Sequence, residues 1–188
     1  MKLIIASNNK HKIYEIKKML GTKFSEILSL SEAGIVHETV EDGVTFSENA
    51  FKKAKEIAEI SGCASLADDS GICVDALGGA PGVYSARFSG GSDDDNNALL
   101  LKKLIGKENR RAHYSCAMSL VYPDGRRVDA EGYMFGEITE LPRGERGFGY
   151  DPLFVPDGET RTVAEMTDDE KNAISHRANA LTALLEKL

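Results

Sequence analysis

The chain has 188 residues, of which 41% are hydrophobic and 28% charged, and this composition excludes wholesale disorder. The formal net charge of −7 argues against a broad electrostatic contact with polymeric nucleic acid. No apolar run approaches the ~20 residues of a membrane span, and the run after Met1 is too short for a signal peptide. We therefore expect a cytoplasmic protein that binds no membrane, folded as one domain over residues 1–188.

The first third of the chain has the pattern of an α/β unit. The apolar run Lys2–Ser7 predicts a buried strand, and apolar residues at helical spacing predict helices over about 10–21 and 45–61. Asparagines before the first helix and a Thr-x-x-Glu pattern at the second are N-cap signals. A further strand over Ala64–Ala67 is expected to end at Asp68. Strand, helix and strand in this order indicate the α/β class.

The acidic run that begins at Ser92 is a candidate calcium loop, and its spacing excludes that interpretation. An EF-hand loop needs glycine where Ala98 stands and glutamate where Leu104 stands. Acidic residues at this place instead favour the start of a helix, because they satisfy free amides and the helix dipole. We expect a helix that begins there and ends near Gly106.

The last third of the chain predicts a hairpin and one terminal helix. Apolar and polar residues alternate over 113–122, and a turn over 123–125 leads to a returning strand over 128–139. A final helix is predicted from Thr167, where Glu170 completes a capping box.

Three regions carry polar groups that simple packing does not explain. The first is the segment SNNKHK at the junction of the first strand and helix. Backbone amides at such a junction favour anions, and a lysine adds positive charge, so a phosphate site is one interpretation and a solvated cap the other. The candidates are Ser7, Asn8, Asn9, Lys10, His11 and Lys12.

The second region combines carboxylates with a lysine. Asp68 and Asp69 follow an apolar strand directly, Ser70 comes next, and Glu41 and Lys53 precede them. A hard cation such as Mg²⁺ takes one or two protein carboxylates together with phosphate oxygens and water. The alternative for the aspartates is a solvated or capping pair.

The third region is GFGYDPLFVP, followed by a lysine and a Ser-His-Arg run. Exposed aromatic rings among glycines can stack on a flat base, and Asp, His and Arg can bind its polar edges. Each residue also has a plain structural interpretation as a core or surface side chain. The candidates are Phe148, Gly149, Tyr150, Asp151, Lys171, His176 and Arg177.

Together these segments resemble the inosine/xanthosine triphosphate pyrophosphatases over nearly the whole chain. The resemblance rests on SNNKHK, TFSENAFKKA, LADDSG, GGAPGVYSARFSG, GFGYDPLF and TDDEKNAISHR, in that order. It implies a twisted mixed β-sheet flanked by helices, with two lobes around a deep active-site cleft, assembled as a homodimer. It also implies hydrolysis of ITP, dITP and XTP between the α and β phosphates, which gives the monophosphate and pyrophosphate.

The resemblance also assigns roles to residues. It implies that Glu41 and Asp69 bind Mg²⁺, for which Mn²⁺ can substitute, and that Asp69 is the general base. It places the SNNKHK residues and Lys53 at the phosphates, Ser70 in the substrate site, and the candidates from Phe148 to Arg177 at the nucleoside. The residues themselves leave Asp68 open as an alternative base or as the ligand of a second magnesium ion. Two alternatives to this function also stay open, a broader nucleotide pyrophosphatase and a nucleotide-binding module without turnover.

Overall fold

The computed structural model describes residues 2–21 and 23–188, and its elements follow the order of an α/β protein. The strands are β1 (Lys2–Ile5), β2 (Glu26–Ser29), β3 (Ala64–Val74), β4 (Arg111–Val121), β5 (Arg127–Ile138) and β6 (Phe154–Pro156). The helices are α1 (Lys10–Leu20), α2 (Phe46–Ser61), α3 (Asp93–Lys103), α4 (Asp168–Ile174) and α5 (His176–Leu185).

All six strands form one mixed sheet in the order β2-β1-β3-β4-β5-β6. Strand β1 pairs in parallel with both β2 and β3, whereas β5 and β6 are antiparallel. The predicted α/β class, with a mixed sheet flanked by helices, is confirmed. Across the two described ranges, no helix is long and apolar enough to cross a membrane.

The chain divides into two compact units. Unit 1 comprises Met1–Asp69, Cys116–Gly132 and Arg177–Leu188, and unit 2 comprises Ser70–Ser115 and Tyr133–His176. Unit 1 has apolar clusters on both faces of its strands. One cluster joins β1 and β3 to α1 and α5 through Leu3, Ile5, Leu66, Ile16, Leu20, Leu181 and Leu184. The other joins the same strands to α2 through Ile4, Ala6, Ala67, Ala54, Ile57 and Ala58.

Unit 2 has a core of its own. Residues of β3, β5 and α3 pack with the segment around β6 in one buried cluster, which includes Ile72, Val74, Leu100, Met134, Ile138, Leu153 and Phe154. Helix α3 begins with a capping box between Ser92 and Asp95. The acidic run therefore opens a helix, as predicted, and the interpretation as a calcium loop stays excluded.

The structure corrects three of the predicted elements. Strand β3 does not end at Asp68 but continues to Val74. Strand β2 was not predicted, because it is short and its first three residues are exposed or half-buried. The predicted terminal helix is two helices, because Ser175 between them is buried in an extended conformation with φ −68° and ψ 150°.

Candidate active site

Strand geometry gives the two adjacent aspartates different surroundings. Successive side chains of a strand point to opposite faces of the sheet. Leu66 of β3 packs in the cluster with α1 and α5, and Ala67 packs in the cluster with α2. Asp68 continues the first of these faces and Asp69 the second. The pair that the sequence presents together is therefore separated by the pleat.

Asp68 is fully buried and surrounded by cations of unit 1. Its Oδ2 lies 3.1 Å from Lys12 Nζ, and it accepts hydrogen bonds from Arg177 Nε at 3.2 Å and Nη2 at 3.1 Å. Arg177 in turn donates through Nη1 to Glu15 of α1. Burial alone would raise the pKa of Asp68, but Lys12, Arg177 and Lys53 together hold it well below its ordinary value. Asp68 is therefore an ionised partner of these cations at neutral pH.

Asp69 lies on the face of α2, where a lysine and a second carboxylate meet it. Lys53 Nζ is 3.8 Å from Asp69 Oδ1 and donates a hydrogen bond to Glu41 Oε1 at 2.6 Å. Burial raises the pKa of Asp69 above its ordinary value, although Lys53 and Lys12 lower it. Burial would lower the pKa of Lys53, but Asp69, Asp68 and Glu41 raise it above its ordinary value. The structure thus brings together three of the predicted residues.

The donor chemistry of this group fits a hard divalent cation. Glu41 and Asp69 each place a carboxylate oxygen near Lys53 Nζ of α2, at 2.6 and 3.8 Å. Mg²⁺ is commonly held by one or two carboxylates and completes its shell with substrate phosphates and water. Within the described part of the chain, no group of three or more His, Cys, Asp or Glu residues is arranged to hold a metal ion.

The SNNKHK segment forms the predicted junction between β1 and α1. Asn9 is the N-cap of α1, and its Oδ1 accepts hydrogen bonds from the amides of His11 at 3.0 Å and Lys12 at 3.2 Å. Asn8, Asn9, Lys10 and His11 are exposed. The side chain of Asn9 therefore already satisfies two of the amides that we expected to face an anion, and Lys12 contributes positive charge beside Asp68.

The GFGYDP segment lies in unit 2, with Asp151 at its centre. The Asp151 carboxylate accepts hydrogen bonds from Lys171 Nζ at 2.9 Å, the Phe148 amide at 3.0 Å and Tyr114 Oη at 3.2 Å. Lys171 Nζ also lies 4.6 Å from the centroid of the half-buried Phe148 ring. Asp151 and Lys171 are buried, so these contacts hold a charged pair and an aromatic ring in fixed places.

Helix α3 binds the same segment through the backbone amide and carbonyl of Gly149. Gly149 donates its amide to Asp93 Oδ2 at 2.7 Å, and its carbonyl accepts a hydrogen bond from Asn97 Nδ2 at 2.9 Å. Tyr150 is 3% exposed and donates its hydroxyl to the Ser85 carbonyl. Of the two interpretations of Tyr150, a ring exposed to a base or a core side chain, the structure shows a core side chain of unit 2.

The break between α4 and α5 gives two adjacent predicted residues different partners. His176 is buried and stacks on Tyr114, with ring centroids 4.7 Å apart and planes 9° from parallel. Arg177 is 1% exposed and binds Asp68 and Glu15. In this structure the guanidinium is committed to carboxylates, and its expected role at the nucleoside stays a prediction. Ser70 is half-buried, and its role also stays a prediction.

Comparison with known proteins decides the family. The sequence model of the Ham1 family matches residues 3–187. This chain belongs to the Ham1 family. It is 49% identical to a dITP/XTP pyrophosphatase of Clostridium perfringens, over 100% of this chain and 97% of that protein. It is 50% identical to one of Leuconostoc mesenteroides, over 100% and 96%. The solved Ham1 protein of Staphylococcus aureus is 38% identical, with a TM-score of 0.89 over 100% of this chain and 99% of that one.

Several residues of the site in this Ham1-family chain were absent from the sequence-based set. They are Glu15, Asn49, Asp93, Asn97 and Tyr114. Asn49 could have been found from the sequence. Asparagine is a poor helix former, so its place in a predicted helix, one turn before Lys53, suggests a specific contact. Asp93 and Asn97 were interpreted as capping residues alone, and Tyr114 as an ordinary core residue of an alternating strand. Nothing in the local sequence connects Asp93 and Asn97 to Gly149, 56 and 52 residues away, or Tyr114 to Asp151, 37 residues away.

Proposed function

We propose that this chain hydrolyses the deaminated purine nucleoside triphosphates ITP, dITP and XTP to the monophosphate and pyrophosphate. Its role is to remove from the nucleotide pool bases that would be misincorporated into DNA or RNA. The observation that carries the proposal is the group on the α2 face, where Lys53 contacts both Glu41 and Asp69. Two carboxylates and an ammonium at one place suit a metal-bound triphosphate better than an anion held by cations alone.

Glu41 and Asp69 are assigned to the metal ion. Nucleotide pyrophosphatases of this family generally depend on a divalent metal, and we assign Mg²⁺, with Mn²⁺ as a substitute. When bound, the ion neutralises phosphate charge and polarises the phosphorus that water attacks. Lys53 supplies a fixed positive charge beside the same two carboxylates.

Asp69, rather than Asp68, is assigned to orient and deprotonate the attacking water. A base must be able to take a proton from a water beside it, and Asp69 lies with Glu41 and Lys53 in the group assigned to the metal ion. The Asp68 carboxylate is fully buried and paired with Lys12 and Arg177, so it lacks access to such a water. Its assigned role is to fix Lys12 and Arg177.

The positively charged side chains near these carboxylates are assigned to bind the triphosphate. A triphosphate carries about four negative charges, and a chain of net charge −7 must meet them locally. Lys12 and Lys53 spread the charge that develops as the phosphorus–oxygen bond loosens. The other residues from Ser7 to His11 supply polar contacts at the start of α1.

The residues from Phe148 to Asp151, with Lys171 and His176, are assigned to the nucleoside. Hypoxanthine presents an O6 acceptor and an N1–H donor where adenine presents a donor and an acceptor. A fixed donor at this place, such as the buried ammonium of Lys171, favours O6 and opposes the amino group of ATP. A buried mismatch of this kind gives strong rejection.

Three further expectations belong to this proposal: a homodimer, a cytoplasmic location and a single domain over residues 1–188. Each stays a prediction. Light scattering of the purified chain gives the oligomeric state directly.

Steady-state kinetics on ITP, XTP, ATP, GTP and dTTP with Mg²⁺ test the proposed substrate class. We expect kcat/KM for ITP and XTP to exceed that for ATP by at least roughly 10²-fold. Comparable values for all five would indicate a broader nucleotide pyrophosphatase. Binding of ITP without turnover would indicate a nucleotide-binding module, and either result would overturn the proposal.

A further inference from the structure

Asn49 of α2 is a fully buried polar residue to which the proposed reaction assigns no role. Its side chain makes two hydrogen bonds to different parts of unit 1. Nδ2 donates to Asp69 Oδ2 at 3.0 Å, and Oδ1 accepts from the Gly43 amide at 2.9 Å. Buried side-chain amides in proteins generally have hydrogen-bond partners for both the donor and the acceptor. This one joins β3 to the segment that carries Glu41.

The two oxygens of Asp69 are contacted from successive turns of α2. Asn49 and Lys53 are four residues apart, so they lie on the same side of the helix. Asn49 binds Oδ2, and Lys53 lies 3.8 Å from Oδ1. Lys53 also binds Glu41, which lies two residues before Gly43. The contacts therefore form a closed circuit from Asp69 through Asn49, Gly43, Glu41 and Lys53.

Gly43 leaves the space that this circuit needs. A Cβ at position 43 would lie 2.6 Å from Asn49 Oδ1 and 2.9 Å from Glu48 Cβ. Any other residue would therefore force the loop or the Asn49 and Glu48 side chains to shift. The close approach places the loop amide within hydrogen-bond distance and limits where Glu41 can lie.

We propose that Asn49 is a positioning residue that orients the Asp69 carboxylate and ties the Glu41 segment to α2. The proposal rests on the proposed function, because it concerns the carboxylates assigned to the reaction. Asn49 itself has no assigned contact with substrate. Residues that orient metal-binding or catalytic carboxylates typically contribute a factor of about 10 to 100 in activity or metal affinity.

Two variants separate the two hydrogen bonds. Asn49→Asp keeps the size of the side chain and an acceptor for the Gly43 amide, but it replaces the donor to Asp69. Asn49→Ala removes both hydrogen bonds. Asn96→Ala is a matched control, because Asn96 is also buried and bonded, to Ser89 and the Ala86 carbonyl of unit 2, and has no role in the proposed site.

The first readout is steady-state kinetics with ITP and Mg²⁺. Both Asn49 variants are expected to lower kcat by at least roughly tenfold, with KM changed less than about threefold, since the phosphate contacts stay in place. The second readout is hydrogen exchange of the Gly43 amide in the metal-free protein. Protection should be lost in Asn49→Ala, and kept in Asn49→Asp and Asn96→Ala.

The two readouts make failure of each proposal distinguishable. If the wild-type chain hydrolyses no triphosphate, the proposed function fails, and exchange at Gly43 still decides whether Asn49 holds the loop. A kcat of Asn49→Asp within twofold of wild type would overturn the orienting role. Wild-type protection of Gly43 in Asn49→Ala would overturn the tie to the loop. If Asn49→Ala does not fold, Asn49→Asp decides the proposal through kcat.

Discussion

At the scale of single residues, Asp68 and Asp69 show how neighbours in sequence acquire different chemistry. The pleat of β3 directs Asp68 toward Lys12 and Arg177, which hold it as an anion. It directs Asp69 toward α2, where burial raises its pKa. The sequence leaves the choice of base open, because the local sequence does not distinguish the two carboxylates. Only the helices packed on the two faces of the sheet give the two carboxylates different environments.

Asp69→Asn tests the two roles assigned to Asp69, as a ligand of Mg²⁺ and as the base. The variant is expected to lose roughly 10²- to 10⁴-fold in kcat with ITP, because the amide cannot accept the proton of the attacking water. Its free energy of unfolding in urea should stay close to that of wild type. Asp75→Asn, the same change at an exposed residue just after β3, serves as the control. Near-normal kcat in Asp69→Asn would remove Asp69 from the mechanism.

Asp68→Asn tests the structural role of the buried anion. Removing it leaves Lys12 and Arg177 without their shared carboxylate, and breaking a buried pair costs about 3–5 kcal/mol. Because the pKa of Asp68 is depressed from 3.8, its contribution is present above pH 3.8 and lost as the pH falls through the folded-state value. Urea unfolding should show a large difference from wild type at pH 7 that shrinks below pH 3.8. A constant difference would argue against this ion pairing.

At the scale of elements, the N-terminal part of α3 has a second structural role besides capping the helix. Asp93 and Asn97 bind the two peptide groups of Gly149 and so fix the segment between Phe148 and Asp151. The acidic and amide residues that resembled a calcium loop thus hold the proposed nucleoside segment.

Asn97→Ala is expected to raise KM for ITP roughly threefold to tenfold, with a smaller change in kcat. The lost hydrogen bond corresponds to about 0.5–1.5 kcal/mol, and it loosens binding residues rather than reacting groups. Asp94→Ala, an exposed residue in the first turn of α3, is the control. An unchanged KM in Asn97→Ala would show that this anchor does not affect substrate binding.

Elements whose signals are local could be predicted from the sequence, and elements that depend on distant contacts could not. Helices α1 and α2 were predicted with their caps, because Asn9 and the Thr45–Glu48 box act within a few residues. The full length of β3 was missed, since an acidic pair after an apolar run indicates an end to burial. Its continuation depends on cations that come from α1, α2 and α5. The break at Ser175 has no proline or glycine to mark it.

At the scale of the whole molecule, the predicted site residues divide between the two compact units. Those assigned to phosphate and metal, from Ser7 to Asp69, belong to unit 1, and those from Phe148 to His176 belong to unit 2. Each set is organised around a buried carboxylate with a lysine, Asp68 with Lys12 and Asp151 with Lys171. The motifs could be recognised one by one, but the contacts that organise each set are long-range.

The products formed from ITP test the central claim most directly. Purified chain, ITP and Mg²⁺ should give IMP and pyrophosphate in equal amounts, resolved by anion-exchange chromatography and a pyrophosphate assay. Asp69→Asn in parallel shows that the products come from this chain. Formation of IDP and orthophosphate would contradict cleavage between the α and β phosphates, and with it the roles assigned to the site residues.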